Sequence, residues 1–117
     1  MKIHSGCDIV KISRMEDFIN KGGLKRCFTE DEEKYIMEKA KPFETAAGFF
    51  AAKEALGKAM GKGLSSFCLR DVEVCHDDNG APFFSFKTPL FENCEISLSI
   101  SHDGDYALAF VVVKGQN

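Results

Sequence analysis

An α+β fold in a single domain spanning 1–117 is what this sequence predicts, with an N-terminal strand, three helices, then an antiparallel sheet. Three observations carry that reading. Apolar residues recur at helical spacing from Ile9 to about Gly61, and from Val72 onward they alternate instead. A short strand-like run with Ile3, Cys7, Ile9 and Val10 precedes the helices. The 117 residues, 44% of them hydrophobic, suffice for one modest core and not for two.

In the first strand, residues 1–10, Gly6 signals a bulge or a close approach of another backbone. Asp8 is an acid among hydrophobes. It is either the N-cap of the helix that follows or a carboxylate at a strand-to-helix junction, able to hold a metal ion. From Ile9 to Asn20, Ile9, Ile12, Met15 or Glu16, and Ile19 follow helical spacing with Phe18 beside them, and Gly22-Gly23 ends the helix. Lys11, Arg14 and Lys21 make its surface cationic. That surface is either a core-facing stripe plus a solvated face, or a landing strip for an acidic helical partner.

Thr29 caps the second helix and Glu32 completes a capping box, so the run Glu30-Asp31-Glu32-Glu33 is structural and receives no catalytic role. This helix should reach about Lys39, before Lys41-Pro42 interrupts it. The third runs from Pro42 to the glycines at 61 and 63 and is rich in alanine. At about 100° per residue, Ala47, Phe50 or Ala51, Glu54, Lys58 and Gly61 share one face. Glu54 and Lys58, four apart, form either an ordinary solvated ion pair or a group reaching toward one object. Because a helix of Ala and Gly is built for close packing, any solvated stripe on it should be narrow.

The second half is strand-like. Val72–His76 and Phe83–Phe86 flank the turn signal Asp77-Asp78-Asn79-Gly80, with Pro82 at the start of the returning strand. Ile96–His102 alternates strictly, Asp103-Gly104-Asp105 turns, and Tyr106–Val113 is nearly continuously apolar. These four strands should form one sheet. His102, closing its strand at a turn, is either a packed residue or a phosphate contact.

Composition excludes several classes. A net charge of −3 offers no general attraction for nucleic acid. There is no apolar run long enough to cross a bilayer and no secretory leader, so no membrane role is expected. Five cysteines, an odd number without C-x-x-C spacing, argue against a zinc site or disulfide framework and for a reducing cytoplasm.

Gly6-Cys7-Asp8-Ile9-Val10, Phe50-Ala51-Ala52-Lys53-Glu54-Ala55 with Lys58 beyond, Asn79-Gly80-Ala81-Pro82, and Ile100-Ser101-His102 before Tyr106-Ala107 occur in this order along the chain. Together they resemble the holo-acyl-carrier-protein synthase group of 4'-phosphopantetheinyl transferases, over essentially the whole length. The resemblance implies the 4'-phosphopantetheinyl transferase fold and a Mg²⁺-dependent transfer of phosphopantetheine from coenzyme A to a serine of acyl carrier protein, in lipid metabolism. It also implies a homotrimer with active sites at subunit boundaries. Asp8 and Glu54 would then be the Mg²⁺ carboxylates, and Lys58 would meet the phosphates, with Gly61 beside the coenzyme A. Gly80, Pro82, Ser101 and His102 of a neighbouring subunit would hold the adenosine side. The first helix would receive the acidic carrier through Arg14, supported by Lys21, with Met15 or Phe18 as apolar anchor. A degenerate relative that binds a carrier or nucleotide without transfer is the alternative. Two departures favour it: Phe49 stands where the family has Arg, and Ala81 where it has Lys. On the resemblance both positions face the nucleotide, so coenzyme A binding should be weaker unless other cations compensate.

Overall fold

Pro42 sits in the first turn of the segment Pro42–Ala59, whose alanines make it the longest helix of the computed structural model, which describes residues 2–115. The chain runs β1 (Lys2–Lys11), α1 (Ile12–Asn20), α2 (Leu24–Cys27), α3 (Glu30–Met37), α4 (Pro42–Ala59), β2 (Val72–His76), β3 (Pro82–Phe86), β4 (Cys94–Asp103) and β5 (Tyr106–Gly115). Short 3-10 turns at Gly63–Ser66, Leu69–Asp71 and Pro89–Phe91 join the later elements. The fold is α+β, as the change of periodicity predicts, with one helical turn (α2) more than the three helices expected.

The four later strands do not form one sheet. β2 and β3 make a separate antiparallel ribbon, while β1 joins the C-terminal hairpin in the order β1-β5-β4. β5 has two edges, and β4 takes one through the Asp103–Tyr106 turn. β1 takes the other along its whole length, from Lys2 opposite Gly115 to Lys11 opposite Tyr106. That ladder also corrects the start of α1. Ile9 and Val10 have helical spacing with Ile12, but they pair with Leu108 and Ala107 and stay in the strand.

α4 lies on one face of the three-stranded sheet. Ala107, Ala109, Val111 and Val113 of β5 turn toward it and are buried with Ala51, Ala55, Leu56 and Ala59 of the helix. Gly6 makes this contact possible. A Cβ there would stand 1.9 Å from the Ala55 carbonyl oxygen and 2.7 Å from the Ala59 nitrogen, so strand and helix meet backbone to backbone. The close approach expected from Gly6 is present, without a bulge in the ladder. The opposite face of the sheet is open and partly apolar: Ile3, Ile9, Tyr106, Leu108 and Phe110 are exposed on it.

A buried polar cluster ties α4 to the rest. Lys53 is 0% exposed, and its ammonium donates to the Cys27 carbonyl (2.7 Å), the Leu69 carbonyl (2.9 Å) and Glu32 Oε1 (2.7 Å). Glu32 also accepts from the amides of Thr29 (2.9 Å) and Val74 (2.8 Å). Thr29 and Glu32 form the capping box of α3, as expected, and the same glutamate serves as Lys53's counter-ion. Burial pushes the Glu32 carboxyl up and the Lys53 ammonium down, and each charge draws the other back toward its ionised form. The five cysteines are free thiols. Burial and the neighbouring Glu73 carboxylate push the Cys75 thiol up to about 11, so it stays protonated at neutral pH.

Candidate active site

Asp8 lies in the body of β1, half-buried on the side that faces α4, and does not cap α1. The residue at that cap is Lys11, whose side chain caps nothing. Asp105 of the β4–β5 turn does the work instead: its carbonyl accepts from the Ile12 amide (2.8 Å), and its carboxylate from the Ser13 amide (3.3 Å) and hydroxyl (3.2 Å). Asp8 is thereby left to its other role, as a carboxylate facing the helix.

On α4, Phe50, Glu54 and Lys58 form the narrow stripe that stays accessible while their neighbours are buried. Lys58 Nζ donates to Asp8 Oδ1 at 2.9 Å and to the Cys7 carbonyl at 3.0 Å. Lys58 therefore has its strong electrostatic partner on another element, and the i,i+4 pairing of Glu54 with Lys58, one of the two alternatives, gives way to Asp8–Lys58. Partial burial lifts the Glu54 carboxyl above its ordinary range, the Asp8 charge lifts it further, and Lys58 pulls it partly back. The hydrogen bond to Asp8 holds the Lys58 ammonium up, so it is charged throughout the neutral range.

Asp8 and Glu54 line one groove of about 360 Å³, and its wall continues through Val10, Arg14, Met15, Phe18 and Phe50. Lys21 follows the end of α1 and does not line it. Among the described residues no group of three or more His, Cys, Asp or Glu side chains gathers to hold a metal. Two carboxylates at a groove are nevertheless the protein share of a Mg²⁺ site, because that ion keeps waters and draws further oxygens from phosphate. The donor set of Asp8 and Glu54 fits such an ion.

A second cavity, of about 310 Å³, lies away from the carboxylates. Gly80, Pro82 and His102 line it together, while Tyr35, Phe49 and His76 form an aromatic wall. Tyr35 and His76 stack at 4.5 Å between centroids, nearly parallel at 5°, and Phe49 packs on both. His102 Nε2 lies 3.2 Å from the Glu44 carbonyl oxygen. Burial, then the nearby Lys39 charge, push His76 down, so its ring is neutral at neutral pH. Ser101 does not join this cavity; by strand alternation it lies on the open face of the sheet. Gly61 lines a third hollow with Lys2, His4 and Met60, apart from both.

Lys53, Asp105, Tyr35, Lys39 and His76 were not singled out from the sequence. Lys53 stands in the Ala-Ala-Lys-Glu run, but nothing local says that it turns inward while Glu54 turns outward. The aromatic wall joins three elements far apart in the chain and has no sequence pattern.

The geometry gives paired acids and a lysine on a strand–helix contact, with a separate cavity walled by aromatic rings. Residues 5–111 match the model of the 4'-phosphopantetheinyl transferase superfamily, and the chain belongs to that family. Its similarity is to holo-[acyl-carrier-protein] synthases. That of Nautilia profundicola is 46% identical over 113 residues, covering 92% of this chain and 96% of the relative. The crystal structure of the Bacillus anthracis synthase, in complex with CoA (3',5'-ADP), superposes with a TM-score of 0.85 at 34% identity, covering 97% of this chain and 96% of that one. The Helicobacter pylori synthase in complex with coenzyme A gives 0.84 at 32% identity, covering 94% and 99%.

Proposed function

We propose that this chain, acting as one domain over residues 1–117, transfers the 4'-phosphopantetheine group of coenzyme A to a serine of apo acyl carrier protein. The serine oxygen forms a bond to the phosphorus that carries pantetheine. The bond from that phosphorus to the bridging oxygen of the pyrophosphate breaks, and adenosine 3',5'-bisphosphate leaves. The observation that carries the reading is the meeting of Asp8 and Glu54 in a groove that runs on into Arg14, Met15 and Phe18, with Lys58 bonded to Asp8. Relatives named for this activity, and relatives solved with coenzyme A, support it.

Asp8 and Glu54 would hold Mg²⁺, which when bound supplies positive charge to the pyrophosphate oxygens. Lys58 is the mobile cation of the site. It is half exposed and bound to Asp8, and can turn its ammonium toward the donor's phosphates, where negative charge gathers as the leaving group departs. The serine proton passes to a carboxylate or water at the same groove. Arg14 presents a fixed charge at the end of the groove to an acidic carrier, with Met15 and Phe18 as its apolar floor. Lys21, exposed just beyond the end of α1, adds a weaker attraction.

The active assembly on this reading is a homotrimer. Tyr106, Leu108 and Phe110 are 47%, 37% and 43% exposed on the open sheet face, and Ile9 beside them is 60% exposed. A contiguous apolar strip of this kind suits burial against another chain. Subunits meeting there would bring the Gly80, Pro82 and His102 side of one chain toward the Asp8 and Glu54 side of the next. Ser101, on that face, would then lie at the boundary. Five free thiols suit a reducing cytoplasm, and no described helix is long and apolar enough to cross a membrane.

The test is mass spectrometry of an apo carrier protein incubated with this chain, coenzyme A and Mg²⁺. The carrier should gain one phosphopantetheine on serine. A carrier that is bound but unmodified would favour the non-catalytic alternative.

A further inference from the structure

The two ends of α1 are secured differently. The C-terminal end closes on itself: the Gly22 and Gly23 amides donate to the Ile19 and Phe18 carbonyls, both at 2.9 Å. Phe18 packs there on Phe50 of α4, with ring centroids 6.5 Å apart, and a Cβ at position 23 would stand 2.3 Å from its ring. The N-terminal end has no closure of its own. Lys11 at the cap position makes no side-chain hydrogen bond to the helix, and the first turn holds no acidic residue to meet the positive end of the helix dipole.

Asp105 supplies both the acceptor and the charge, from the β4–β5 turn 92 residues beyond Ser13. Its carbonyl takes the Ile12 amide, one carboxylate oxygen takes the Ser13 amide, and the other takes the Ser13 hydroxyl. This is the work of an N-cap, delivered by a residue outside the helix and its flanks. It acts on a lightly held element, because Met15 is the one buried residue among the nine of α1. Ser13 is followed directly by Arg14 and Met15, which line the groove beside Asp8 and Glu54. Fixing Ser13 therefore fixes where those two side chains start. Asp105 itself is exposed and lines neither the groove nor the second cavity, so its influence on a bound carrier passes through the helix.

We propose that Asp105 is a positioning residue for the carrier protein: by capping α1 from the β4–β5 turn, it holds Arg14, Met15 and Phe18 in the pose that an acidic carrier meets. This rests on the carrier docking along α1. A helix released at its first turn spends part of its time frayed, and carrier affinity falls with the fraction of molecules whose docking surface is assembled. The second cavity lies on other elements and does not share that loss.

The test is calorimetric titration of the assembled protein with apo acyl carrier protein in the absence of coenzyme A, and separately with adenosine 3',5'-bisphosphate. Asp105→Ala should weaken carrier binding about fivefold, the equivalent of one helix cap, with nucleotide binding unchanged. Asp105→Asn, whose amide oxygen also caps, should retain most of the affinity. Ser13→Ala keeps the amide contact and should lose only about twofold. Carrier binding unchanged in Asp105→Ala, equal weakening of carrier and nucleotide, or an Asp105→Asn variant as weak as Asp105→Ala would each overturn the proposal. Arg14→Glu separates the causes. If it weakens carrier binding while Asp105→Ala does not, the role of Asp105 alone is refuted; if neither does, docking along α1 falls as well. Coenzyme A is absent from the titration, so failure of phosphopantetheine transfer would count against the proposed reaction and leave the assignment of Asp105 standing.

Discussion

Lys53 and Glu54 are neighbours in α4, yet their side chains enter opposite environments. Lys53 makes three short hydrogen bonds inside the protein, and its partner Glu32 accepts two backbone amides besides. Each polar atom of that pair is occupied, and no water is needed. Glu54 shares its groove with Asp8, whose ion pair with Lys58 leaves the lysine half open to solvent. The closed pair can do little except hold α2, α3, α4 and β2 in register. The open one has spare acceptor capacity and a lysine that can leave. One helix thus carries a completed electrostatic structure and an unfinished one, and the unfinished one can take a ligand.

Breaking the closed pair should have the largest effect. Lys53→Met leaves Glu32 buried without its cation, so the protein should lose about 3–5 kcal/mol, read as the urea midpoint. Making Glu32 apolar as well should not restore stability, because the Thr29 and Val74 amides would then lose their acceptor. In the open pair, Glu54→Gln should leave stability within about 0.5 kcal/mol of wild type while transfer falls about 100-fold or more. Parallel loss of stability and activity would show that the two regions are not separable. Arg14→Glu, at the far end of the same groove, should raise the apparent KM for an acidic carrier about tenfold and make it less salt-sensitive, with the KM for coenzyme A unchanged. An equal rise for both substrates would assign Arg14 to the donor.

The smallest effect concerns protons. Asp8→Asn removes one of the two influences that lift Glu54, so the Glu54 titration followed by NMR should move down while burial keeps part of its elevation. The sign for stability follows from the same shift. The folded pKa of Glu54 lies above the unfolded one, so the fold binds the extra proton between them, and stability declines as pH rises through that interval. Asp8→Asn should flatten that decline. A Glu54 titration unmoved by the substitution would mean that the two carboxylates do not sense each other.

What could be read from the sequence was what is decided locally. The Thr29–Glu32 capping box, the entry at Pro42, the turn at Asp77–Gly80 and the alternation of β4 each need only a few adjacent residues, and each is present. Asp8, Glu54 and Lys58 were legible as candidates through the resemblance. That Asp8 rather than Glu54 holds Lys58 was not, because it depends on how β1 packs against α4. The split of the later strands was equally hidden, since β1 takes the edge of β5 that β4 leaves free, and the nearest of its partners in sequence, Tyr106 opposite Lys11, lies at the far end of the chain. Asp105 capping α1 and Lys39 facing His76 are contacts between elements that periodicity treats one at a time.

Gly6 governs the bite of the groove by what it lacks. It lies two residues before Asp8 on the same face of β1, and it touches α4 at Ala55 and Ala59, each one residue beyond Glu54 or Lys58. A methyl group at position 6 would meet the Ala55 carbonyl oxygen at 1.9 Å, well inside the 3.4 Å where ordinary contact begins, and backbone on both sides leaves it no room to turn away. The helix would have to retreat, carrying Glu54 and Lys58 from Asp8 by more than the roughly 1 Å that is enough to slow an aligned reaction about 100-fold. The jaw of this site is set by a hydrogen atom two residues from Asp8, on the strand that carries it.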